Sequence, residues 1–538
     1  MNYAREKKRS LPFVFACGLL LAPVAAAVPP AIADSLIKLK DGTVRRFDFD
    51  PQDIDSITYA PKGQARPSAT NPQSAPDSSA PKRLSPADRA AIQARRNASP
   101  QSEPEAPPPD GKPDGSATPK APEPAPAPGS ALPDPGKPQA GVAKPGPHLV
   151  QTLRVGPGQS YDTIGRAAAA ARDGDTIEIA AGDYTGAAAI AVWRANKLVI
   201  RGVNGRPHLK GGGESAEGKG IWVTKGANIV VENIEFSDAK VSENNAAGIR
   251  IEGANITIRN CDFHDNQNGV LASPNPQSDI VIENSIFTAN GLDGEGYTHN
   301  IYIGAVRSFV LSASLSHRAI DGHNVKSRAR LNRILYNRIM DEADGTASYA
   351  IDISEGGTAY IIGNVIQQGP KTSNNAIVAL AAEKKDASDR FYVVNNTIVN
   401  DLDKGIFIDN FSPGAATVIN NILAGPGTPL VGNGVLRDNL VTPHTKPTML
   451  DRLTSDASPG TGALEGNLVA SNPGFVDATY YDYHLLPGSP AIGVGIQPRD
   501  SAGTLLLPEK QYEGPAKSVP RPHLDRLDLG ALAYVRDK

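Results

Sequence analysis

A short strand pattern that ends in asparagine recurs through the middle of this chain of 538 residues. Each copy joins β-branched or aromatic residues to a final asparagine, and the copies cover residues 229–233, 256–260, 280–284, 334–337, 360–364, 392–395 and 418–420. The spacing of the final asparagines is nearly constant, apart from one gap between Asn284 and Asn337 that corresponds to two periods. A period of about 25 residues is typical of a solenoid, whose repeats pack only on their neighbours.

The residues within each repeat indicate strands rather than helices. Ile, Val and Phe occupy alternate positions, so one face of each strand would point into a core. Asparagine tolerates the left-handed backbone that a tight corner between strands requires. A leucine-rich repeat is the competing interpretation, but its leucine pattern and its helical spacing are both missing. The repeat therefore predicts an all-β fold, a parallel β-helix with three short strands in each turn.

The segments at both ends of the repeat array resemble those of a known family. Residues 153–186 read LRVGPGQSYDTIGRAAAAARDGDTIEIAAGDYTG, which predicts a helix over residues 164–171 between two strands. This opening resembles the N-terminal cap of pectin-lyase-like β-helix proteins, and residues 472–477, 485–492 and 528–531 resemble their closing segment. The resemblance implies a right-handed parallel β-helix over residues 148–430, a helix that plugs its open end, and a closing region over residues 431–538.

The N-terminal part of the chain indicates export and a tether. Arg5, Lys7, Lys8 and Arg9 precede an apolar run at residues 11–28, which predicts a Sec-type signal peptide over residues 1–33 and a secreted or periplasmic protein. Residues 34–60 alternate around an Asp-Gly turn and predict a small β-hairpin element. Residues 61–147, rich in Pro, Ala and Ser, predict a disordered linker. No later apolar run is long enough for a membrane span.

Alignment of the repeats brings polar side chains onto one face of the coil. The segments starting at His299 and His323 align without gaps one period apart, and the segment starting at Tyr349 follows one period later. Their third positions are apolar and face the core, so their fourth positions point outward. This register stacks the outward residues Tyr302, Lys326 and Asp352, beside a second column formed by the three first residues. The same register also places on this face Arg250, Arg328, Arg330, Val378 and Phe407.

These groups suit β-elimination at a uronic acid in a polysaccharide. The reaction needs a cation for the carboxylate, a base for the proton beside it, and an acid for the leaving oxygen. We expect Arg250, Arg328 and Arg330 to bind the substrate, and the catalytic groups to come from Lys326, His323, His299, Tyr302, Tyr349 and Asp352. Lys326 and His323 are alternative bases. The net charge of −3 offers no general attraction for nucleic acid, so we expect a polysaccharide partner only.

A second, looser resemblance concerns the strand at residues 325–327, followed by Asn332 or Asn337. It is similar to the base-bearing turn of alginate and chondroitin lyases with this fold. In that group an arginine about one turn later is the acid, whereas this chain carries Tyr349 and Asp352 there. The resemblance implies Lys326 as the base and leaves the identity of the acid open.

Other functions stay open at this point. A non-catalytic polysaccharide-binding or structural β-helix protein fits the linker and the near-neutral charge. A C5-epimerase would use nearly the same residues as a lyase. A glycoside hydrolase would need paired carboxylates, for which Asp352 with Glu355, or Asp341 with Glu342, are the candidates. The acidic residues 341–345 could bind Ca²⁺ or form a solvated turn. We expect no other cofactor, and the sequence does not predict an oligomeric state.

Overall fold

The computed structural model describes residues 149–294, 296–442, 466–522 and 526–535, and the strand backbone at residues 35–38 and 44–47. The chain divides into two compact units, Met1–Gln93 and Ala94–Lys538. In the first unit, Ser35–Lys38 and Val44–Phe47 pair as antiparallel strands, with Ser35 opposite Phe47. The predicted signal peptide and linker lie outside the described residues.

The second unit is a coil of parallel strands with three faces, which we call sheets A, B and C. Sheet A has ten strands: Ala191–Trp193, Gly220–Thr224, Ala247–Ile251, Asn268–Ala272, Ile301–Ile303, Val325–Ser327, Ile351–Ile353, Ala376–Leu380, Ile406–Asn410 and Thr428–Val431.

Sheets B and C form one hydrogen-bonded sheet of 22 strands, because two long strands, Thr176–Thr185 and Val199–Lys210, run through the corner between them. Sheet B also contains Thr152–Val155, Ala227–Glu232, Ala254–Arg259, Asn275–Glu283, Val306–Ser312, Leu331–Leu335, Thr358–Ile362, Arg390–Val394, Ala415–Ile419 and Gly434–Arg437. Sheet C also contains Glu235–Ser237, Asp262–His264, Ile286–Thr288, Leu315–His317, Arg338–Met340, Val365–Gln368, Thr397–Asn400, Ile422–Ala424, Leu440–Val441 and Leu468–Val469.

This architecture confirms the predicted all-β parallel β-helix. The inward side chains of the three sheets form one core cluster that extends from Leu153 to Leu436. Near its N-terminal end, aromatic rings contact one another with centroids 4.8–5.1 Å apart: Trp193, Trp222 and Phe236 meet edge to face, and Phe236, Phe263 and Phe287 of successive turns stack. The strands of the coil continue past residue 430 to Val441 and, after residues that are not described, to Val469.

The helix at the N-terminal end covers Ile164–Ala170, close to the expected range, and Thr163 caps it by accepting from the Arg166 N–H. Its buried residues Ile164, Ala167 and Ala168 join the core cluster of the coil. A 3₁₀ turn follows at Gly186–Ala188. Within the described part of the chain, no helix combines the length and the apolar character that crossing a membrane requires.

The C-terminal residues pack along the outside of sheet C and, through Leu506, on outward residues of sheet B. They include two antiparallel strand pairs, Phe475–Asp477 with Asp482–Leu485 and Lys510–Glu513 with Lys517–Pro520, and a 3₁₀ turn at Ala478–Tyr480. Their buried side chains, among them Tyr483, Leu529 and Leu532, form a second apolar cluster with outward residues of sheet C such as Val365 and Ile422. This packing explains why late turns of the coil are apolar on both sides of that sheet.

Two of the repeat asparagines do not occupy the corner position between sheets B and C that the repeat predicted for them. Asn233, Asn260, Asn284, Asn395 and Asn420 have positive φ angles of 50–59°, as predicted for the corner. At two other turns the left-handed residues are Tyr336 and Gly363, so Asn337 and Asn364 sit one residue later than expected. The prediction was wrong at these two turns because the repeat carries asparagine at two adjacent positions, one at the corner and one just after it.

The asparagine one residue after the corner forms a buried ladder. Asn337, Asn364, Asn396, Asn421, Asn439 and Asn467 belong to it, and the side-chain oxygen of each accepts from the backbone and side-chain N–H groups of the preceding member at 2.8–3.0 Å. Each side-chain amide also donates to a sheet B carbonyl, such as that of Ile361 for Asn396. Buried polar groups are costly unless paired, so the ladder fixes the register of successive turns.

A second buried ladder lies at the end of sheet C and finishes on an acid. Asn290 accepts from Asn266, Asn300 from Asn290, and Asn324 from Asn300, at 2.9–3.1 Å between side-chain atoms. The side-chain amide of Asn324 then donates to Asp341 Oδ1 at 2.9 Å. Asp341 is 1% exposed, and burial raises its pKa from 3.8 to about 7.

The first ladder predicts a large loss of stability for Asn396→Ala. The substitution strands the N–H groups of Asn364 in the core, at a cost of about 1–3 kcal/mol for each unpaired group. We expect a clearly lower melting temperature and unfolding midpoint in urea. Asn260→Gly is the control, because it keeps a left-handed corner on the exposed surface and should change stability by less than about 1 kcal/mol. Equal stability of the two variants would show that the ladder does not hold the turns.

The buried acid predicts a pH dependence of stability. The folded state keeps the Asp341 proton up to about pH 7, whereas the unfolded state releases it near pH 4, so stability falls between these values as pH rises. Asp341→Asn removes a cost on the order of 4 kcal/mol at pH 8 and should flatten this part of the profile. The matched control is the exposed Asp344→Asn. Parallel profiles of melting temperature against pH for wild type and Asp341→Asn would contradict the assignment.

Candidate functional site

The outward column of sheet A contains four of the residues that the repeat alignment placed there. Strand pairing runs from Arg250 through Leu271 to Tyr302, then to Lys326 and Asp352. The alignment was wrong for later turns, where Val378 pairs with Ile351 and Phe407 is 1% exposed, so both face the core. The column continues instead through Ala379 to Asp409. Because the loops between the strands differ in length in these later turns, the equivalent positions are shifted relative to the gap-free alignment.

The two histidines belong to a ladder that holds backbone groups. His299 Nδ1 accepts from the backbone N–H of His323 at 3.0 Å, and His323 Nδ1 accepts from that of Tyr349 at 3.3 Å. Asn268 does the same one turn earlier, with its side-chain oxygen 2.9 Å from the His299 nitrogen. His299 is fully buried, and burial holds its pKa well below 6.5. These contacts give His299 a structural role and occupy the Nδ1 lone pair of His323.

Lys326 and Arg328 share one carboxylate, that of Glu383. Lys326 Nζ lies 2.7 Å from Glu383 Oε1, while Arg328 Nη2 and Nε lie 2.8 Å and 2.9 Å from Glu383 Oε2. Arg328 Nε also lies 3.5 Å from a second carboxylate oxygen, Glu355 Oε1. The side chain of Glu383 is 34% exposed and comes from the segment after a sheet A strand, whereas that of Lys326 is 4% exposed. A surface carboxylate thus covers two cations that the coil holds in place.

Asp352 completes this cluster from the next turn. Its Oδ2 lies 3.3 Å from Lys326 Nζ and 3.4 Å from His323 Nε2, and it accepts from Ser354 Oγ at 2.7 Å. Its Oδ1 is buried and has no hydrogen-bond partner among the described residues. Asp352 is therefore the counter-ion of Lys326, and the neutral His323 ring would donate to it through Nε2.

Aromatic rings flank the cations along the coil. The guanidinium of Arg328 lies 5.1 Å from the centroid of the Tyr302 ring, in cation–π geometry. Tyr349 lies 5.1 Å from the ring of His323, and burial together with the charge of Asp352 raises the pKa of its hydroxyl. Both tyrosines are partly exposed. Two turns beyond Asp352, burial raises the pKa of Asp409 to about 6.

Two of the expected substrate-binding arginines do not join the cluster. Arg250 lies two turns before Tyr302, is 8% exposed, and its Nε has no hydrogen-bond partner within the described ranges. Arg330 is exposed and lies at the corner that leads into sheet B, shortly after Ser327. Arg328 alone of the three lies beside Lys326.

The acidic residues 341–345 do not converge on one point. Asp341 is bonded to Asn324, Glu342 pairs with His317 and Arg318, and Asp344 pairs with Lys371. Since each carboxylate has its own partner, a Ca²⁺ ion at this segment would have to displace several of them. The calcium hypothesis stays a prediction, and the pair of Asp341 with Glu342 offers no shared opening for a sugar.

Sequence reasoning missed Glu383 and Asp409. Glu383 lies in a charged segment, AAEKKDASD at residues 381–389, whose length gives no register relative to the strands. Asp409 would have been found by shifting the alignment within the strand Ile406–Asn410, since Ile408 and not Phe407 continues the inward column.

Comparison with known proteins places the chain by its fold. Residues 188–385 match the family model described as right handed beta helix region. Among solved structures, pectate lyase Pel9A covers 72% of this chain and 98% of its own, with 15% identity and a TM-score of 0.45. The pectin methylesterase from Aspergillus niger covers 63% of this chain and 90% of its own, with 11% identity and a TM-score of 0.23.

A short segment of the chain is similar to curated proteins of another kind. The large ribosomal subunit protein uL24 of Flavobacterium johnsoniae is 38% identical over 86 residues, which are 15% of this chain and 81% of that protein. The same protein of Flavobacterium psychrophilum is 37% identical over 86 residues, with the same coverage. The three-faced coil of parallel strands and the match over residues 188–385 together identify the fold of this part of the chain as a right-handed parallel β-helix.

Proposed function

We propose that the outer face of sheet A binds an acidic polysaccharide. The observation that carries this proposal is the shared carboxylate of Glu383, which Lys326 and Arg328 hold at 2.7–2.9 Å. A guanidinium and an ammonium that converge on one carboxylate form the kind of site that recognises a uronic acid. Glu383 comes from the protein surface, so a sugar carboxylate can take its place without opening the core.

The surroundings of this carboxylate position also suit a sugar chain. Successive turns of the coil are about 4.8 Å apart, so Tyr302 and Tyr349 lie one turn to either side of Lys326 along the same face. Aromatic rings offer flat apolar surface to the C–H groups of sugars, and their hydroxyl groups offer hydrogen bonds. A polymer lying along the coil axis would meet aromatic, cationic and aromatic groups in that order.

Within this proposal, cleavage proceeds by β-elimination. Arg328 neutralises the uronate carboxylate, Lys326 removes the proton on the adjacent carbon, the bond from the next carbon to the glycosidic oxygen breaks, and a tyrosine hydroxyl protonates that oxygen. Lys326 is the base rather than His323, because His323 Nδ1 already accepts a backbone N–H. Lys326 acts as a base only in its neutral form, so in this step the uronate carboxylate binds Arg328, and the displaced Glu383 no longer contacts Lys326 Nζ.

Glycoside hydrolysis is a second candidate, favoured by Asp409. This residue follows Asp352 in the outward column with only Ala379 between them, so their Cα atoms are about 10 Å apart. Inverting glycosidases place their two carboxyl groups about 6.5–9.5 Å apart, and they need one acid that stays protonated. Asp409, with a pKa of about 6, would be the acid and Asp352 the base.

Two further parts of the proposal come from the amino-acid sequence. We propose that the chain is secreted or periplasmic, on the basis of the basic and apolar residues at its start. We propose no nucleic-acid partner, because a net charge of −3 gives no overall attraction for RNA.

Binding of uronic-acid polysaccharides tests the carboxylate site. Arg328→Gln should weaken binding by roughly 10- to 100-fold, the worth of charge-assisted hydrogen bonds. Glu383→Gln should strengthen it, because the competing carboxylate is gone. Arg333→Gln on sheet B is the control and should bind as wild type does. Affinity electrophoresis or calorimetry with polygalacturonate and alginate measures all three. Unchanged affinity in both Arg328→Gln and Glu383→Gln would rule out this site.

Product analysis separates the two reactions. β-Elimination creates unsaturated ends that absorb ultraviolet light, whereas hydrolysis creates reducing ends without that absorption. We expect ultraviolet-absorbing product from wild type and none from Lys326→Arg, which keeps the charge but cannot act as a base. Asp409→Asn should leave that product in place. Reducing ends alone, lost in Asp409→Asn and declining in wild type above about pH 6, would instead establish the hydrolase. Binding without either product would identify a binding protein.

A further inference from the structure

Two histidines and a glutamate meet on the outside of sheet C, at the N-terminal end of the coil. His208, Glu235 and His264 come from three consecutive turns, with His208 opposite Glu235 and His264 opposite Ser237 in the strand register. Their side chains are 20%, 27% and 28% exposed, so they are half-buried yet open to solvent. They lie on a different sheet from the Lys326 cluster and play no part in the proposed function.

The distances between their ligand atoms match those around a tetrahedral zinc ion. Glu235 Oε1 lies 3.3 Å from His208 Nδ1 and 3.1 Å from His264 Nε2, and all three ligand atoms lie within 4.8 Å of one another. A tetrahedral Zn²⁺ with bonds of about 2.0–2.1 Å places neighbouring ligand atoms roughly 3.3 Å apart. Two edges of such a tetrahedron therefore exist before any metal enters.

In each imidazole, the ring nitrogen that faces away from Glu235 lies at hydrogen-bond distance from a second side chain. His208 Nε2 is 2.7 Å from Ser237 Oγ, and His264 Nδ1 is 2.7 Å from Asp265 Oδ2. Metal-binding histidines characteristically bond their other nitrogen to a carboxylate or another polar group, which fixes the tautomer and the ring orientation. In their neutral forms, with the proton on the nitrogen that faces away, both rings present a lone pair on the side of Glu235.

The fourth position would be taken by water or by Asp183 after a movement of its side chain. Asp183 Oδ1 lies 3.7 Å from His208 Nδ1, and the side chain is 66% exposed. It also pairs with Lys210 at 3.0 Å, so it can either join the metal or leave the fourth position to water. The charges near the site favour a cation, because Glu235, Asp183, Asp262 and Asp265 outnumber Lys210 and Arg206.

We propose that His208, Glu235 and His264 bind Zn²⁺. The ion links three successive turns of the coil, so its binding stabilises the N-terminal turns by mass action. The competing arrangement is the one in which protonated His264 forms an ion pair with Glu235, and zinc replaces that proton. No covalent or redox step is involved, since Zn²⁺ has no redox chemistry.

Calorimetry with Zn²⁺ tests the proposal on the full chain, produced without a histidine tag and treated with chelator. Wild type should bind one equivalent, and Co²⁺ in its place should give the intense visible absorption of a four-coordinate ion. Glu235→Gln, nearly the same shape as wild type, should weaken binding at least tenfold, and the double variant His208→Gln/His264→Gln should abolish it. His317→Gln, two turns along the same sheet, is the matched control and should bind like wild type.

Three outcomes would overturn the zinc site. They are the absence of Zn²⁺ binding to wild type, equal stoichiometry and affinity in the double variant, and an equal loss in His317→Gln. Circular dichroism and melting in chelator show whether each variant is folded before titration. As a second readout, Zn²⁺ should raise the melting temperature of wild type and His317→Gln, but not that of Glu235→Gln. Polysaccharide binding by Glu235→Gln should be unchanged, which separates this site from the proposed function.

Discussion

The buried hydrogen bonds between equivalent side chains of successive turns are the interaction on which the rest of this molecule depends. The buried core opposes a slip by one residue between neighbouring turns, since it would turn apolar side chains outward, but a slip by two residues keeps the inward face apolar and the backbone paired. A slip would leave the amides of the ladder from Asn337 to Asn467 unpaired in the core. The second ladder, from Asn266 to Asp341, applies the same constraint at the end of sheet C. Register is thereby fixed at two of the three corners.

Because the register is fixed, residues that are distant in the amino-acid sequence become neighbours on the surface of the coil. Lys326, Asp352 and Asp409 lie on different turns and are far apart in the amino-acid sequence, yet all three belong to one column of sheet A. The same rule gathers His208, Glu235 and His264 on sheet C. A solenoid can therefore carry independent sites on its separate faces, each built from one side chain per turn. The C-terminal residues cover the later turns of sheet C and leave the turns of His208 to His264 exposed.

How much could be predicted from the sequence follows from this geometry. The repeat of strand and asparagine predicts the fold because its period is regular, and gap-free alignment places Tyr302, Lys326 and Asp352 correctly. Register fails where loops between strands change length, which put Val378 and Phe407 on the wrong side. Glu383 reaches the site from such a loop, so no periodicity locates it. Two of the proposed zinc ligands were within reach of the sequence, because Glu235 and His264 each follow closely after a repeat asparagine. The structural role of His299 and His323 depends on which ring nitrogen meets a backbone N–H, and that needs coordinates.

The central claim about function is that Glu383 holds the position of a substrate carboxylate. A crystal structure of the chain with a uronic-acid oligosaccharide tests it most directly. The claim predicts a sugar carboxylate bonded to Arg328, Glu383 turned away from Lys326 and Arg328, and sugar rings against Tyr302 and Tyr349. An oligosaccharide bound elsewhere on the coil, with Glu383 still bonded to both cations, would contradict it.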